Sequence, residues 1–372
     1  MNTVPAALTM NKKIQNLIDR YEAARDRRLP RLLDFWQGRA PYLVSIEAGF
    51  TRYASCGGIE ENFQANLYDF EKTLACPSDT LPNLEPWFGT GVLAEVFGCT
   101  YFWRQGDAPA VHYAYHTLDE IRDIPKPDLS SGKVAALILE AIAYFKERTG
   151  GQLPMCLTDT QSAADNATLI LDASEFFIAC YTAPDIVRRF LRMINDLIIE
   201  FSQKQAEAIG DCLVLPGRII AASLPAAQGG TGITIADDNL AVASPQINAD
   251  FFLPLDDQIG QAFGGAAIHS CGNWGHTIPL LRQWKNLTMI ECKISSPMDP
   301  NPTPPEQIRD ALRGTDIAVQ VTLNNEVERD FDLLDRLAAP GLRLIVRFLN
   351  DGTGDIQSRY NLVNRRLQKI YG

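Results

Sequence analysis

Eight short apolar segments, most of them separated by stretches with helical periodicity, constrain this chain more than any other feature. They read as strands at Tyr42 to Ile46, Leu153 to Leu157, Cys212 to Leu215, Ile233 to Ala236, Ala266 to Cys271, Leu287 to Cys292, Ile317 to Thr322 and Leu342 to Phe348. Helical patterns fall at Asn11 to Arg28, Glu60 to Leu74, Lys133 to Thr149, Ala183 to Ile209, Asn248 to Phe263, Pro305 to Leu312 and Asp330 to Leu337. Such alternation predicts an α/β fold built on a parallel sheet. No Gly-x-Gly-x-x-Gly follows an early strand, which disfavours a dinucleotide fold, and polar residues gather at the C-terminal ends of the strands. A closed (β/α)8 TIM barrel is therefore expected.

The length of 372 residues suits one barrel domain over residues 1–372. Residues 1–40 read as an N-terminal helical extension, and residues 101–117, which alternate around Gly106-Asp107, as an inserted β-hairpin. The loop from Leu81 to Thr100, rich in Pro, Gly and aromatic residues, is expected to lie over a ligand site. With 34 basic against 45 acidic residues the formal charge is −11, which disfavours nucleic acid and anionic membrane as partners. No apolar run approaches the roughly 18 to 20 residues of a membrane helix, and a charged-then-apolar signal is lacking, so a cytoplasmic location is expected. The eight cysteines show no CxxC spacing and read mostly as reduced, buried residues.

The sharpest chemical signal is His269-Ser270-Cys271-Gly272 at a strand end. Residues two apart on a strand face the same side with Cα atoms about 6.5 to 7 Å apart, so the imidazole and the thiol can converge on one cation. Zinc suits a nitrogen and a sulfur donor. Further donors come from the next strand end, where Glu291 and Cys292 are adjacent and face opposite sides, so one of the two can reach the same metal. Asp159, before Thr160 and Gln161, is a candidate for proton transfer or substrate binding, against a plain helix-capping role. Asp237 and Asp238 pose the same choice, one facing the pocket and the other capping the next turn. His112 and His116 lie about 13 Å apart if extended, too far for one metal. His276 reads as a surface or helix-start residue.

Four runs make the chain resemble the uroporphyrinogen-decarboxylase superfamily, which includes methylcobalamin:thiol methyltransferases. They are Thr158-Asp159-Thr160-Gln161, Tyr181 to Val187, Ile235-Ala236-Asp237-Asp238 with Ser244-Pro245, and His269 to Asn273. The likeness is good over about residues 150 to 325 and looser before them. It implies the barrel, and it implies the methyltransferase branch over true porphyrinogen decarboxylases, because the Arg-Gln-Ala-Gly-Arg motif and a late histidine are missing. In that branch a His-x-Cys zinc pair is joined by an acidic residue one βα unit later and by a C-terminal cysteine. His269, Cys271 and Glu291 fit the first three roles, and no cysteine follows Cys292. The resemblance further implies that zinc presents a thiol acceptor to a methyl group, with Asp159 and Asp238 handling substrate or protons. Gln161 and Asp237 would then contact substrate, and Trp87, Phe88 and Trp274 would wall the pocket. No Asp-x-His-x-x-Gly motif occurs, so a corrinoid would arrive on a partner protein or free. A metal-free decarboxylase or lyase of a polycarboxylated ligand and a non-catalytic binding barrel are the competing readings.

Overall fold

The computed structural model describes residues 6–103, 106–296 and 298–372. Its centre is a six-stranded parallel sheet. The strands are β1 (Tyr42–Glu47), β6 (Ile233–Ala236), β7 (Ala266–His269), β8 (Leu287–Lys293), β9 (Ala318–Thr322) and β10 (Leu344–Leu349), in the order β1-β10-β9-β8-β7-β6. Two short antiparallel pairs lie outside it, β2 (Thr100–Phe102) with β3 (Ala110–His112), and β4 (Val214–Leu215) with β5 (Leu224–Pro225). The first pair is the expected hairpin, whose residues 104 and 105 lie outside the described set. Sheet strands rich in Val, Ile and Leu are buried almost throughout, as a parallel sheet covered on both faces requires.

Two expected strands, Leu153 to Leu157 and Cys212 to Leu215, do not join this ladder. Met155 instead forms isolated parallel bridges to Leu84 and Leu213. Pro154 and Pro216 supply the reason, since neither has an N–H to donate and a regular ladder cannot run through them. The gap between the sheet edges is spanned by a few backbone bonds. Asp79 N–H donates to Val44 O (2.9 Å), Leu84 N–H to Pro154 O (2.8 Å), Val214 N–H to Met155 O (3.0 Å) and Thr234 N–H to Pro216 O (3.2 Å). These links carry the backbone round from β1 to β6, an arrangement consistent with a TIM barrel whose remaining third is irregular.

Helices flank the sheet as the periodicity predicts. Pro184–Ile209 buries Val187, Phe190, Leu191, Ile194, Leu197, Ile198 and Phe201 along one face, with Pro184 in the first turn where its missing N–H is harmless. The N-terminal helix is longer than expected, Ala6–Trp36, and continues through Pro30. It buries Ile14, Leu17, Ile18, Tyr21 and Ala24. Trp36 Nε1 donates to Ala222 O (2.7 Å) and Arg28 reaches Cys76 O (2.8 Å), so the extension packs on the rest of the chain. The segment expected as one helix from Asn248 begins with a π turn, Asn248–Phe252, ahead of Leu253–Phe263. Pro254 sits where the α ladder would need its N–H. Among the described residues no helix is long and apolar enough to cross a membrane.

Candidate metal centre

β6 and β7 pair in parallel with Ala236 opposite His269, so the residues that follow each strand leave the sheet side by side. β7 ends at His269, two residues earlier than expected. There Cys271 N–H turns to Asp238 Oδ1 (2.7 Å) and Gly272 takes φ 76°, a conformation open to glycine. A Cβ at Gly272 would also stand 3.2 Å from the Ala241 Cβ. The turn still brings the two side chains together, with Cys271 Sγ 3.3 Å from His269 Nε2. Asp238 Oδ1 lies 3.8 Å from the same nitrogen. One donor atom from each of Asp238, His269 and Cys271 falls within 4.8 Å of the others. His269 is buried, while Asp238 and Cys271 reach solvent.

Glu291 stands behind this group. Its Oε2 lies 2.5 Å from His269 Nδ1, so Nδ1 donates to the carboxylate and Nε2 faces Cys271 and Asp238. Oε1 accepts from Thr322 Oγ1 (3.3 Å), Arg347 Nη2 (3.1 Å) and Lys293 Nζ. Burial works to raise the Glu291 carboxyl, but Lys293, His269 and Arg347 overcome it and hold the group well below the usual carboxylate range. The Cys271 thiol moves the other way. Partial burial, then the Asp238 carboxylate, push it up to about 12.

The sequence offers Cys292 as an alternative ligand, and the structure places it away from this group. Adjacent strand residues face opposite sides, so with Glu291 inward Cys292 points into the apolar layer, fully buried beside the Trp274 indole. Trp274 itself is fully buried. Phe88 is likewise enclosed, its carbonyl accepting from Tyr101, and Trp87 packs edge-on against Tyr53 at 4.9 Å. His112 stacks on Phe102, and His276 Nε2 lies 3.0 Å from Ala243 O, both apart from the centre.

Asp237, offered as a substrate contact, lies on the far side of β6 from solvent, fully buried beside Asp256 and Ser162. Burial first, then the neighbouring Asp256 carboxyl, holds it well above the usual range, while burial and Asp165 raise Asp256 to about 8. Asp165 is raised too, by burial and by Asp237. It accepts the Asp238 and Asn239 N–H groups (both 3.0 Å) and so fixes the turn that presents Asp238. A carboxyl whose folded pKa lies above its unfolded value favours the folded state while protonated. That benefit is complete below about pH 4 and is lost as pH rises to about 8. Asp256→Asn is therefore expected to flatten the fall in thermal stability between about pH 5 and pH 8. Thermal unfolding curves that stay parallel for both proteins would contradict this assignment.

Asp159 is buried in a separate group. Its Oδ1 accepts Gln161 N–H (2.9 Å) and its Oδ2 pairs with Arg218 Nη1, while Arg218 Nε lies 3.3 Å from Glu85 Oε1. Gln161 (φ 55°) and Arg218 (φ 39°) are the two non-glycine residues with positive φ among those described, and Asp159 touches both. Arg52 extends the network with Glu47 (3.3 Å), Asp69 (3.2 Å) and Glu85 (3.4 Å). Sequence reasoning passes over Arg52, Arg218, Lys293 and Arg347. The one available signal is Arg347 within the apolar run Leu344–Leu349, where a charge must find partners.

Residues 87–228 match the model of the family described as uroporphyrinogen decarboxylase (URO-D), a segment that ends before the His269 motif. A methyltransferase from Methanosarcina mazei has a similar structure, with 15% sequence identity, a TM-score of 0.63, and coverage of 91% of this chain and 98% of that one. A B12-independent methionine synthase from Shewanella sp. W3-18-1 gives 11% identity and a TM-score of 0.47 over 89% of this chain and 99% of the other. A search of the curated proteins gives no match. The chain thus has a URO-D-like α/β fold, and its resemblance to the uroporphyrinogen-decarboxylase superfamily is carried by the family match over residues 87–228.

Proposed function

We propose that this protein is a zinc-dependent methyltransferase that moves a methyl group between a corrinoid, held by a partner protein, and a small thiol acceptor. The observation that carries the reading is the convergence of Asp238, His269 and Cys271 within 4.8 Å, with His269 anchored from behind at 2.5 Å by Glu291. Three protein donors, two of them reaching solvent, fit a catalytic zinc site, which keeps one position for substrate. The carboxylate behind the histidine is the arrangement that fixes a metal-binding tautomer. When bound, zinc would supply the Lewis acidity that keeps a thiol acceptor ionised near neutral pH.

The chain's own groups do the rest. Asp238, held by Asp165 through its N–H and by Cys271 through its Oδ1, places its carboxylate beside the thiol. Cys271 must lose its proton to solvent on binding metal, and Asp238 stands beside it as the carboxylate donor. Because that thiol sits at about 12 in the free protein, zinc affinity is expected to rise with pH across the neutral range. Asp159 lies in the Arg218 and Glu85 network, so its part in this reading is to hold the 158–161 turn and Arg218 in place.

The test has two readouts. Protein purified under reducing conditions and supplied with zinc is expected to hold about one ion per chain. It should also demethylate methylcobalamin in the presence of a simple thiol. Absence of stoichiometric metal after reconstitution would end the reading. Carboxyl loss from a porphyrinogen by the metal-free protein, with no methyl transfer, would replace it with the decarboxylase alternative.

A further inference from the structure

The loop after β4, residues 217–221, lies across the polar interior of the sheet and lines a cavity with Ser45, Glu47, Arg52 and Thr80. Two of the side chains that hold it there come from β9 and β10. Gln320 of β9 donates to Ile219 O (2.8 Å) and accepts from Ala221 N–H (2.8 Å). Arg347 of β10 donates to the same Ile219 carbonyl through Nη1 (2.8 Å). The opposite edge of that guanidinium reaches Glu291 Oε1 through Nη2 (3.1 Å), and its Nε donates to Thr322 Oγ1 (3.1 Å). One nearly buried guanidinium therefore touches both the loop and the carboxylate that holds His269.

We propose that Arg347 is a positioning residue that couples the Glu291–His269 pair to the 217–221 loop. With Arg347, Lys293 and Thr322 all donating to Oε1, the other oxygen, Oε2, is left to face His269 Nδ1. The same guanidinium cannot move to follow Glu291 without releasing Ile219 O. Settling His269 on a metal thus also settles the loop that lines the cavity. Coupling through shared bonds is reciprocal, so loosening the loop loosens the carboxylate as well. Arg347 reaches His269 through Glu291, directly and by way of Thr322. The metal arm of the inference rests on the zinc reading, and the loop arm does not.

Amide hydrogen exchange at Ala221, whose N–H is held by Gln320, reads the loop directly. Gln320→Leu removes that acceptor and serves as the positive control for loop release. In protein without added metal, Arg347→Met and Glu291→Gln are each expected to speed Ala221 exchange by about tenfold, with Arg347→Lys restoring part of the protection. Global unfolding is measured alongside, and Glu291→Gln keeps the test available if Arg347→Met does not fold. Ala221 exchange unchanged within about twofold in a folded Glu291→Gln protein would overturn the coupling. With zinc added, exchange in the wild type is expected to slow by about threefold or more, and this slowing is expected to vanish in Arg347→Met. Cobalt(II) substituted for zinc is expected to give an altered d–d absorption band in Arg347→Met and a near-native band in Arg347→Lys. Zinc bound without any change at Ala221 would overturn the coupling while leaving the zinc reading intact. Failure of the wild type to bind zinc would sink the zinc reading, and the metal-free variants would still decide the coupling.

Discussion

Cys271→Ser is expected to empty the metal site and abolish methyl transfer while leaving the fold unchanged. A serine hydroxyl is a poor zinc ligand beside a thiolate, and the remaining pair, His269 and Asp238, holds zinc far more weakly than three donors do. Zinc content after dialysis is expected to fall from about one ion per chain to below about a tenth. Because Cys271 reaches solvent, thermal stability of the metal-free protein should move by no more than about 0.5 kcal/mol. Elemental analysis and a thermal melt on the same sample check both halves. Full zinc retention by the variant would show that the thiol is not a ligand.

Arg52→Met is expected to give the largest loss of stability. Its guanidinium is the shared partner of Glu47, Asp69 and Glu85, and the last two are nearly inaccessible, with side-chain exposures of 3% and 1%. Removing Arg52 takes from Asp69 its ion-pair partner and leaves Glu85 with Arg218 alone, at a cost of about 3 to 5 kcal/mol. The Arg52 guanidinium also lies 4.4 Å from the Tyr53 ring centroid, so methionine forfeits a cation–π contact as well. Urea denaturation should show a lower midpoint at unchanged slope. A midpoint equal to the wild type would mean that the carboxyls take up protons at no net cost.

What could be read from the residues alone depended on how local the physics is. His269 and Cys271 were legible as a donor pair two residues apart, but the strand ends at His269, and it is the turn after it, not the two-residue repeat, that brings sulfur and nitrogen to 3.3 Å. Alternation also separated Glu291 from Cys292, but choosing the inward one required knowing which face of β8 meets the polar interior. Asp238 was visible as a pocket acid, whereas its place beside His269 follows from the pairing of β6 with β7. The choice between Asp237 and Asp238 turned on the same pairing. Arg218 and Arg347 were hidden because partners lie as far as 300 residues away in the chain, as Glu47 does from Arg347, and Arg52 because its nearby carboxylates meet it only in the folded chain. The sheet strands announced themselves through long apolar runs, while Pro154 and Pro216 masked how irregular the remaining third would be.

The pairing of Ala236 with His269 has a consequence for how this centre can fail. Its donors belong to two neighbouring strand ends, so the site exists in one alignment of those strands only. Sliding β7 by a single residue would turn Ser270 inward in place of His269 and carry the imidazole to the wrong side of the sheet. A substitution in the apolar body of β7, far from any donor, can therefore silence the centre while helix content and compactness look untouched.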